Sequence, residues 1–527
     1  MKSEIIDIRS RIISGQSNAR NEVEKAFAKF DQTKEIHALV EILPDYALKL
    51  ADEIDEKIRE IREKLAITSS DLSLDSEDFA KLEARVVSEI GELAGVPYIA
   101  KDNFLTSAKN SHTTASSKIL ANFESPIDAT AVKRLNNAGA ILIGKSNLDA
   151  FAHGGSTENS AFGPTKNAYD AERVAGGSSG GSAAIVAKGV VPFALGSDTG
   201  GSIREPASFN NVVGMKPTYG LISRWGVVAM ASSTDVIGTF SRNVEDTEIL
   251  MNILAGKDGH DGTLMIKSWS ELDQRPTKST KRIGLIKEFL GEGIDPEVRE
   301  NILNFAKTLR ESGHQVDEVS LPMAKYALAI YYIVVPAELS SNLARFDGVR
   351  YGQRAGVDEK FAKIDNETRF ATSDSQIMTE NDKTEARDPE ELFTNSRNAG
   401  FMPENKRRLM IGAFVLSSGY FDAYYLKAQK ARTLLIQQFD DLFAKYDFLI
   451  GPVAPTPAFK LGENVSDPLK MYLSDVMTTP ASMAGLPALS LPNGFAKNGL
   501  PIGVQIIGQQ KSDADLLDFA KSVEEKL

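Results

Sequence analysis

Residues 173–204 read RVAGGSSGGSAAIVAKGVVPFALGSDTGGSIR. Two clusters of glycine and small hydroxyl residues, Gly176 to Ser182 and Asp198 to Ser202, flank a short apolar run. Glycine lets a substrate approach the main chain and lets backbone N–H groups turn inward. Paired clusters of this kind predict a serine that attacks a carbonyl beside amides that hold the oxyanion. A pair of flexible linkers would have the same composition. Linkers, however, do not enclose a run such as Val190, Val191, Phe193, Ala194 and Leu195, which predicts a buried strand over Val190–Leu195.

The rest of the chain narrows the chemistry. It has 527 residues, no cysteine, five histidines and a net charge of −12. The missing cysteines exclude disulfides, thiolate metal sites and a cysteine nucleophile. His37, His112, His153, His260 and His314 form no paired-ligand spacing, so no metal site is expected. The acidic balance argues against a chain that itself grips a phosphate backbone. The N-terminus MKSEIIDIRSRI has no apolar signal core. The apolar run Ala327–Ala337 is about half the ~20 residues of a membrane span. The expectation is a cytoplasmic protein without a membrane partner.

Residues 1–65 read as helices on a larger domain, with Ile5, Ile8, Ile12 and Ile13 on one face. Residues 68–78 read as a surface loop. From Val96 onward short strands alternate with helices, which predicts an α/β fold, a mixed β-sheet core covered by helices. The strands are expected at Val96–Ala100, Ala140–Ile143, Val190–Leu195, Arg282–Ile286, Phe448–Ile450, Ala488–Leu491 and Gly503–Ile507. One helix is expected over Ala129–Ala138 with Asp128 as its N-cap. Another should start at Asp295–Pro296 and stop at Gly313. The polar segment at about 356–388 reads as a mobile surface insertion in a catalytic domain of residues 66–527.

Two short motifs fit formally and fail physically. Gly139-AILI-Gly144-Lys145-Ser146 matches the phosphate-loop pattern, but its four central residues are a strand, whose amides are spent on sheet bonds. Gly176-Gly-Ser178-Ser-Gly180 matches the nucleophile elbow that needs a downstream histidine. Here that would be His260 in a Gly/Asp loop or His314 past a helix end, and neither suits a base. The remaining candidate is Lys101 in GVPYIAKDNF, which closes a short buried strand. Desolvation there lowers an amine pKa toward neutrality and makes it a usable base. A shift of roughly three units costs about 4 kcal/mol.

Lys101 in PYIAKDN, Ser178 in GGSSGGS and Ser202 in SDTGGSIREPA, with the serines 24 residues apart, resemble the amidase signature family. The resemblance covers nearly the whole chain. Residues 214–238, 340–352, 416–435 and 467–492 are similar to its branch of glutamyl-tRNA(Gln) amidotransferase A subunits. It implies a single large amidase-signature domain with Ser202 as nucleophile, Ser178 as proton relay and Lys101 as base. It also implies an oxyanion hole of the Thr199, Gly200, Gly201 and Ser202 amides, with Asp198 and Arg204 behind it. Glutamine would be held by Arg408, Asp475 and Tyr331, with Arg407 and Tyr332 as adjacent alternatives. The implied partners are B and C subunits, with tRNA met only through the complex. No cofactor is implied in this chain, since ATP and Mg serve the B subunit. Residues 66–92 and 356–388 are longer than the family pattern. The other readings are a stand-alone amidase, which would lack the Arg408 and Asp475 anchors, and a dead scaffold, which would have lost one of the three catalytic residues.

Overall fold

The computed structural model describes residues 2–65, 76–272, 279–355, 369–370 and 388–526. Its centre is one 11-stranded mixed sheet. In chain order the strands are β1 (Leu39–Ile42), β2 (Pro97–Lys101), β3 (Ile141–Ser146), β4 (Phe193–Asp198), β5 (Val213–Lys216) and β6 (Val236–Ser241). They continue as β7 (Arg282–Ile286), β8 (Gln315–Val319), β9 (Phe448–Pro452), β10 (Ala488–Phe495) and β11 (Pro501–Gly508). Their spatial order is β1-β3-β2-β4-β6-β5-β10-β11-β9-β7-β8. β2 runs parallel to both β3 and β4, while β4 to β6, β5 to β10 and β10 to β11 are antiparallel. Every residue of β2, β3, β4 and β6 is buried. Strands covered on both faces read as continuous apolar runs, which makes most of them legible in the sequence.

The differences from the sequence reading have local causes. The N-terminal 65 residues are not all helix: β1 lies between helices Ala19–Asp31 and Pro44–Lys64 and pairs antiparallel with β3. Four residues are too few to show a period. The strand expected at Val190–Leu195 is shifted to Phe193–Asp198, because Pro192 lacks the N–H a ladder needs. The expected cap Asp128 instead accepts from the Ser107 backbone N–H (2.6 Å), and helix Thr130–Asn137 starts after Ala129 without a side-chain cap. Asp295 does cap its helix, accepting from Glu297 N–H at 2.7 Å. Residues 68–75 of the expected loop lie outside the described residues, and Ser76 to Asp78 open helix Ser76–Glu89. The expected insertion at 356–388 also lies outside them, except Arg369, Phe370 and Asp388.

The phosphate-loop match is a strand, as its side chains required. Lys145 is fully buried and donates to the carbonyls of Phe104 (2.8 Å) and His112 (3.1 Å). Ala324–Arg345 is, among the described residues, the one stretch long and apolar enough to cross a membrane, at mean hydropathy 1.3. It packs against helices Pro403–Leu416 and Lys427–Phe443, with Ala327, Ile330, Tyr331, Val334 and Val335 buried.

Gly238 in β6 has no room for a side chain: a Cβ there would lie 2.0 Å from the Met215 carbonyl oxygen on β5. Gly238→Ala is expected to cost about 1–3 kcal/mol through overpacking. A lowered thermal midpoint checks this; an unchanged one would contradict the close approach of the two strands.

Candidate active site

The site forms where three chain segments end on the same edge of the sheet. β2 ends at Lys101, which has no solvent exposure. Its Nζ hydrogen-bonds Ser178 Oγ (2.8 Å), Ser179 Oγ (2.8 Å) and Ser197 Oγ (3.0 Å). Ser197 is in β4, which runs alongside β2 with Ala100 opposite Leu195. Burial drives the Lys101 pKa down to about 7, against the opposing pull of Asp149, Asp198 and Asp235. The two neighbouring hydroxyls are committed as acceptors. Ser179 Oγ donates its hydrogen to the Ser197 carbonyl (3.2 Å), and Asn103 Nδ2 donates to Ser197 Oγ (3.1 Å).

Ser178 follows a cis peptide bond from Gly177. The loop fits only because its glycines do: a Cβ on Gly177 would lie 2.2 Å from Asp149 Oδ2, and one on Gly180 2.4 Å from Thr157 Oγ1. Helix Gly180–Ala187 then carries the chain away.

β4 ends at Asp198 and the loop Thr199–Ile203 leads into helix Arg204–Phe209. Asp198 Oδ2 accepts from the Ile203 N–H (3.1 Å), closing the loop on itself. The Arg204 guanidinium meets Asp198 twice, Nε to Oδ2 and Nη2 to Oδ1, both at 3.0 Å. Arg204 also donates to the Thr478 carbonyl (2.9 Å), Ser482 Oγ (2.7 Å) and Gln505 Oε1 (2.5 Å). Both partners are fully buried, and Arg204 holds the Asp198 carboxyl below its usual range against burial. Within this clamp the N–H groups of Gly200, Gly201 and Ser202 have no protein acceptor among the described residues. Neither Gly200 nor Gly201 has a positive φ. Close approach requires them instead: a Cβ on Gly200 would lie 2.8 Å from Tyr331 Cε2, and one on Gly201 2.2 Å from Thr478 Oγ1 and 2.9 Å from Asp475 Oδ1.

Ser202 has 7 % relative exposure where Lys101 and Ser178 have none, so it is the member of the trio that a solute meets. Ser178 Oγ is bonded to Lys101, and no hydrogen bond joins it to Ser202 Oγ in this structure. The Ser202 carbonyl accepts from Ser179 N–H (3.2 Å), which docks the two serine loops. His260 stacks on exposed Trp225 and His314 accepts from Lys281 N–H, so neither reaches the serines.

The residues expected to hold substrate converge here. Tyr331 and Asp475 pack on Gly200 and Gly201 as above. Of the arginine pair, Arg407 has 42 % of its side chain exposed and Arg408 has 3 %. Arg408 donates to Glu404 Oε1 (2.8 Å), lies over the Tyr332 ring at 5.0 Å, and faces a cavity of about 200 Å³. That is several times the ~30 Å³ share of one water. Asp149, Gly154, Gly155 and Tyr472 share its wall. Both tyrosines of the pair contribute, since Tyr332 stacks on Tyr472 at 3.9 Å and accepts from Arg408 at 3.4 Å. Burial raises the Asp475 carboxyl to about 7, while Arg408 pulls it down. Among the described residues no cluster of His, Asp or Glu is arranged to hold a metal ion.

Sequence reasoning missed Ser179, Ser197, Asp149 and Glu205. A serine following the apolar run FALG within a buried strand was the one available signal, for Ser197.

Residues 75–517 match the family model described as Amidase. The chain is 49 % identical over 453 residues to the A subunit of glutamyl-tRNA(Gln) amidotransferase from Sulfurihydrogenibium sp. (strain YO3AOP1), covering 85 % of this chain and 87 % of that relative. The protein of the same name from Bacillus pumilus (strain SAFR-032) is 47 % identical over 498 residues, 93 % and 96 % of the two chains. The crystal structure of the glutamyl-tRNA(Gln) amidotransferase A subunit from Thermotoga maritima superposes with a TM-score of 0.70 at 35 % identity, covering 96 % of this chain and 91 % of that one.

Arg204→Ala is expected to destabilise the protein by about 3–5 kcal/mol, because it leaves Asp198 buried without its cation. A thermal midpoint within a degree of the parent would show that the clamp does not hold the loop.

Proposed function

The chain belongs to the amidase family, and on that premise we propose that it is the glutamine-hydrolysing subunit of an aminoacyl-tRNA amidotransferase. It releases ammonia that a partner uses to convert Glu-tRNA(Gln) to Gln-tRNA(Gln). The observation that carries this reading is the pairing of a buried, neutral-range Lys101–Ser178 couple with two buried groups of opposite charge beside the Gly200–Ser202 loop, the Arg408 guanidinium and the Asp475 carboxylate. A free amino acid presents those two charges in reverse.

The mechanism follows from the hydrogen bonds. A neutral amine has two N–H groups and one lone pair. Ser179 and Ser197 take the N–H groups of Lys101, so the lone pair faces Ser178. Ser202 attacks the carboxamide carbon as its proton passes to Ser178 and that of Ser178 to Lys101. The unspent amides of Gly200, Gly201 and Ser202, with Thr199 at the loop's start, receive the oxyanion; one such donor is worth about 3–4 kcal/mol. Lys101 returns its proton through Ser178 to the departing ammonia, leaving an acyl ester on Ser202. Water, activated by the same couple, then releases glutamate. Arg408 grips the α-carboxylate, Asp475 the α-ammonium, and Tyr331 borders the hole. ATP and magnesium belong to the B subunit of the complex, a C subunit ties the assembly, tRNA reaches this chain only through it, and the setting is the cytoplasm.

Two results test the assignment. Arg408→Ala and Asp475→Ala should each raise KM for glutamine by about 10- to 100-fold, the worth of one charged hydrogen bond, while turnover of propionamide, which lacks both charges, stays near the parent's. Equal losses on both amides would make the chain an amidase for some other substrate. The second is pH dependence. Lys101 must be unprotonated and Asp475 ionised, so kcat/KM for glutamine should fall as pH drops through about 7 and stay level above it. A profile flat down to pH ~5 would remove Lys101 as the base.

A further inference from the structure

Glu205, the second residue of the helix after the oxyanion loop, is fully buried and makes no ion pair among the described residues. Its neighbour Arg204 is spent on Asp198. Glu205 Oε2 accepts the Gly177 N–H at 3.1 Å, one residue before Ser178, and Oε1 has no hydrogen-bond partner among the described residues. On its other side lies the Ser474–Asp475 turn. The point a Gly155 Cβ would occupy is 3.1 Å from Ser474 Oγ and 3.8 Å from both Asp475 Oδ2 and Glu205 Oε2. The Glu205 and Asp475 carboxyls thus both border Gly155, which lines the substrate cavity.

We propose that Glu205 is a positioning residue for glutamine: as an uncharged carboxylic acid it braces the Ser178 loop against the Ser474–Asp475 turn and adds no second charge beside the Asp475 carboxylate that answers the α-ammonium. This rests on the glutamine reading above. Adjacent buried carboxyls do not both stay ionised, and the environment decides which keeps the charge. Asp475 feels Arg408 and keeps 7 % exposure, so it is the anion. Glu205 is deeper, and burial together with the charges of Asp475 and Asp149 pushes its carboxyl well above the usual range. An ionised Glu205 would have only the Gly177 N–H and the Ser474 hydroxyl to stabilise a fully buried charge, and would place a second negative charge beside a site that must match one ammonium.

In the assembled amidotransferase, Glu205→Gln keeps the shape, the acceptor for Gly177 and the neutrality. It should hold kcat and KM for glutamine within about threefold of the parent, whereas Glu205→Ala raises KM about tenfold or more and leaves KM for propionamide unchanged. The infrared difference spectrum of parent minus Glu205→Gln should show a protonated-carboxyl C=O stretch at neutral pH. That readout needs no substrate, and it decides the charge of Glu205 even if the chain turns out to act on another amide. An absent stretch, or loss of activity in Glu205→Gln with retention in Glu205→Asp, would overturn the proposal. If Glu205→Ala does not fold, the glutamine variant and the spectrum still decide it.

Discussion

A lysine amine held out of water at the end of β2 is the constraint on which the site depends. Moving its pKa from 10.5 to about 7 costs roughly 5 kcal/mol of folding free energy at neutral pH. That is comparable with the net stability of many domains, so the surrounding structure must over-determine the position. It does so with strands buried on both faces and with three hydroxyls that satisfy Nζ without charge. A carboxylate in their place would hold the amine protonated and useless as a base. The choice of serine at 178, 179 and 197 is therefore as much a part of the chemistry as the lysine itself.

The second constraint is a loop that keeps its amides unspent. Asp198 and Arg204 close the oxyanion loop from behind and tie it to Thr478, Ser482 and Gln505 in the C-terminal third of the chain. The same segment supplies Asp475. One buried ion pair thus registers the Ser202 loop against the segment that carries Asp475, with a span of 274 positions between Arg204 and Thr478. Gly200 and Gly201 are the other half of that registration, since Tyr331, Thr478 and Asp475 occupy the space a side chain would take.

Much of this was legible in the sequence. Buried strands announced themselves as apolar runs, and the Lys101, Ser178 and Ser202 motifs carried the family resemblance. β1, β5, β6 and β8 were not legible. β1 and β5 are four residues long, β5 and β6 are each interrupted by a glycine, and β8 is an edge strand with exposed Gln315 and Glu318. Ser179 and Glu205 escaped because their roles come from neighbours distant in sequence, β4 and the 474–475 turn. The choice between Arg407 and Arg408 needed the helix to be oriented, which the structure does through burial. The glycines of that loop were expected to let amides turn inward and a substrate come close; the fold adds that Tyr331, Thr478 and Asp475 leave no space there for a side chain.

The most direct test is the rate at which an electrophilic glutamine analogue labels the protein, followed by intact mass and peptide mapping from pH 5 to 9. The account predicts one adduct, on Ser202, competed by glutamine and absent in Ser202→Ala, with a labelling rate that falls as pH drops through about 7 when Lys101 takes up its proton. Labelling at another residue, or a Ser202 rate that ignores pH across that range, would contradict it.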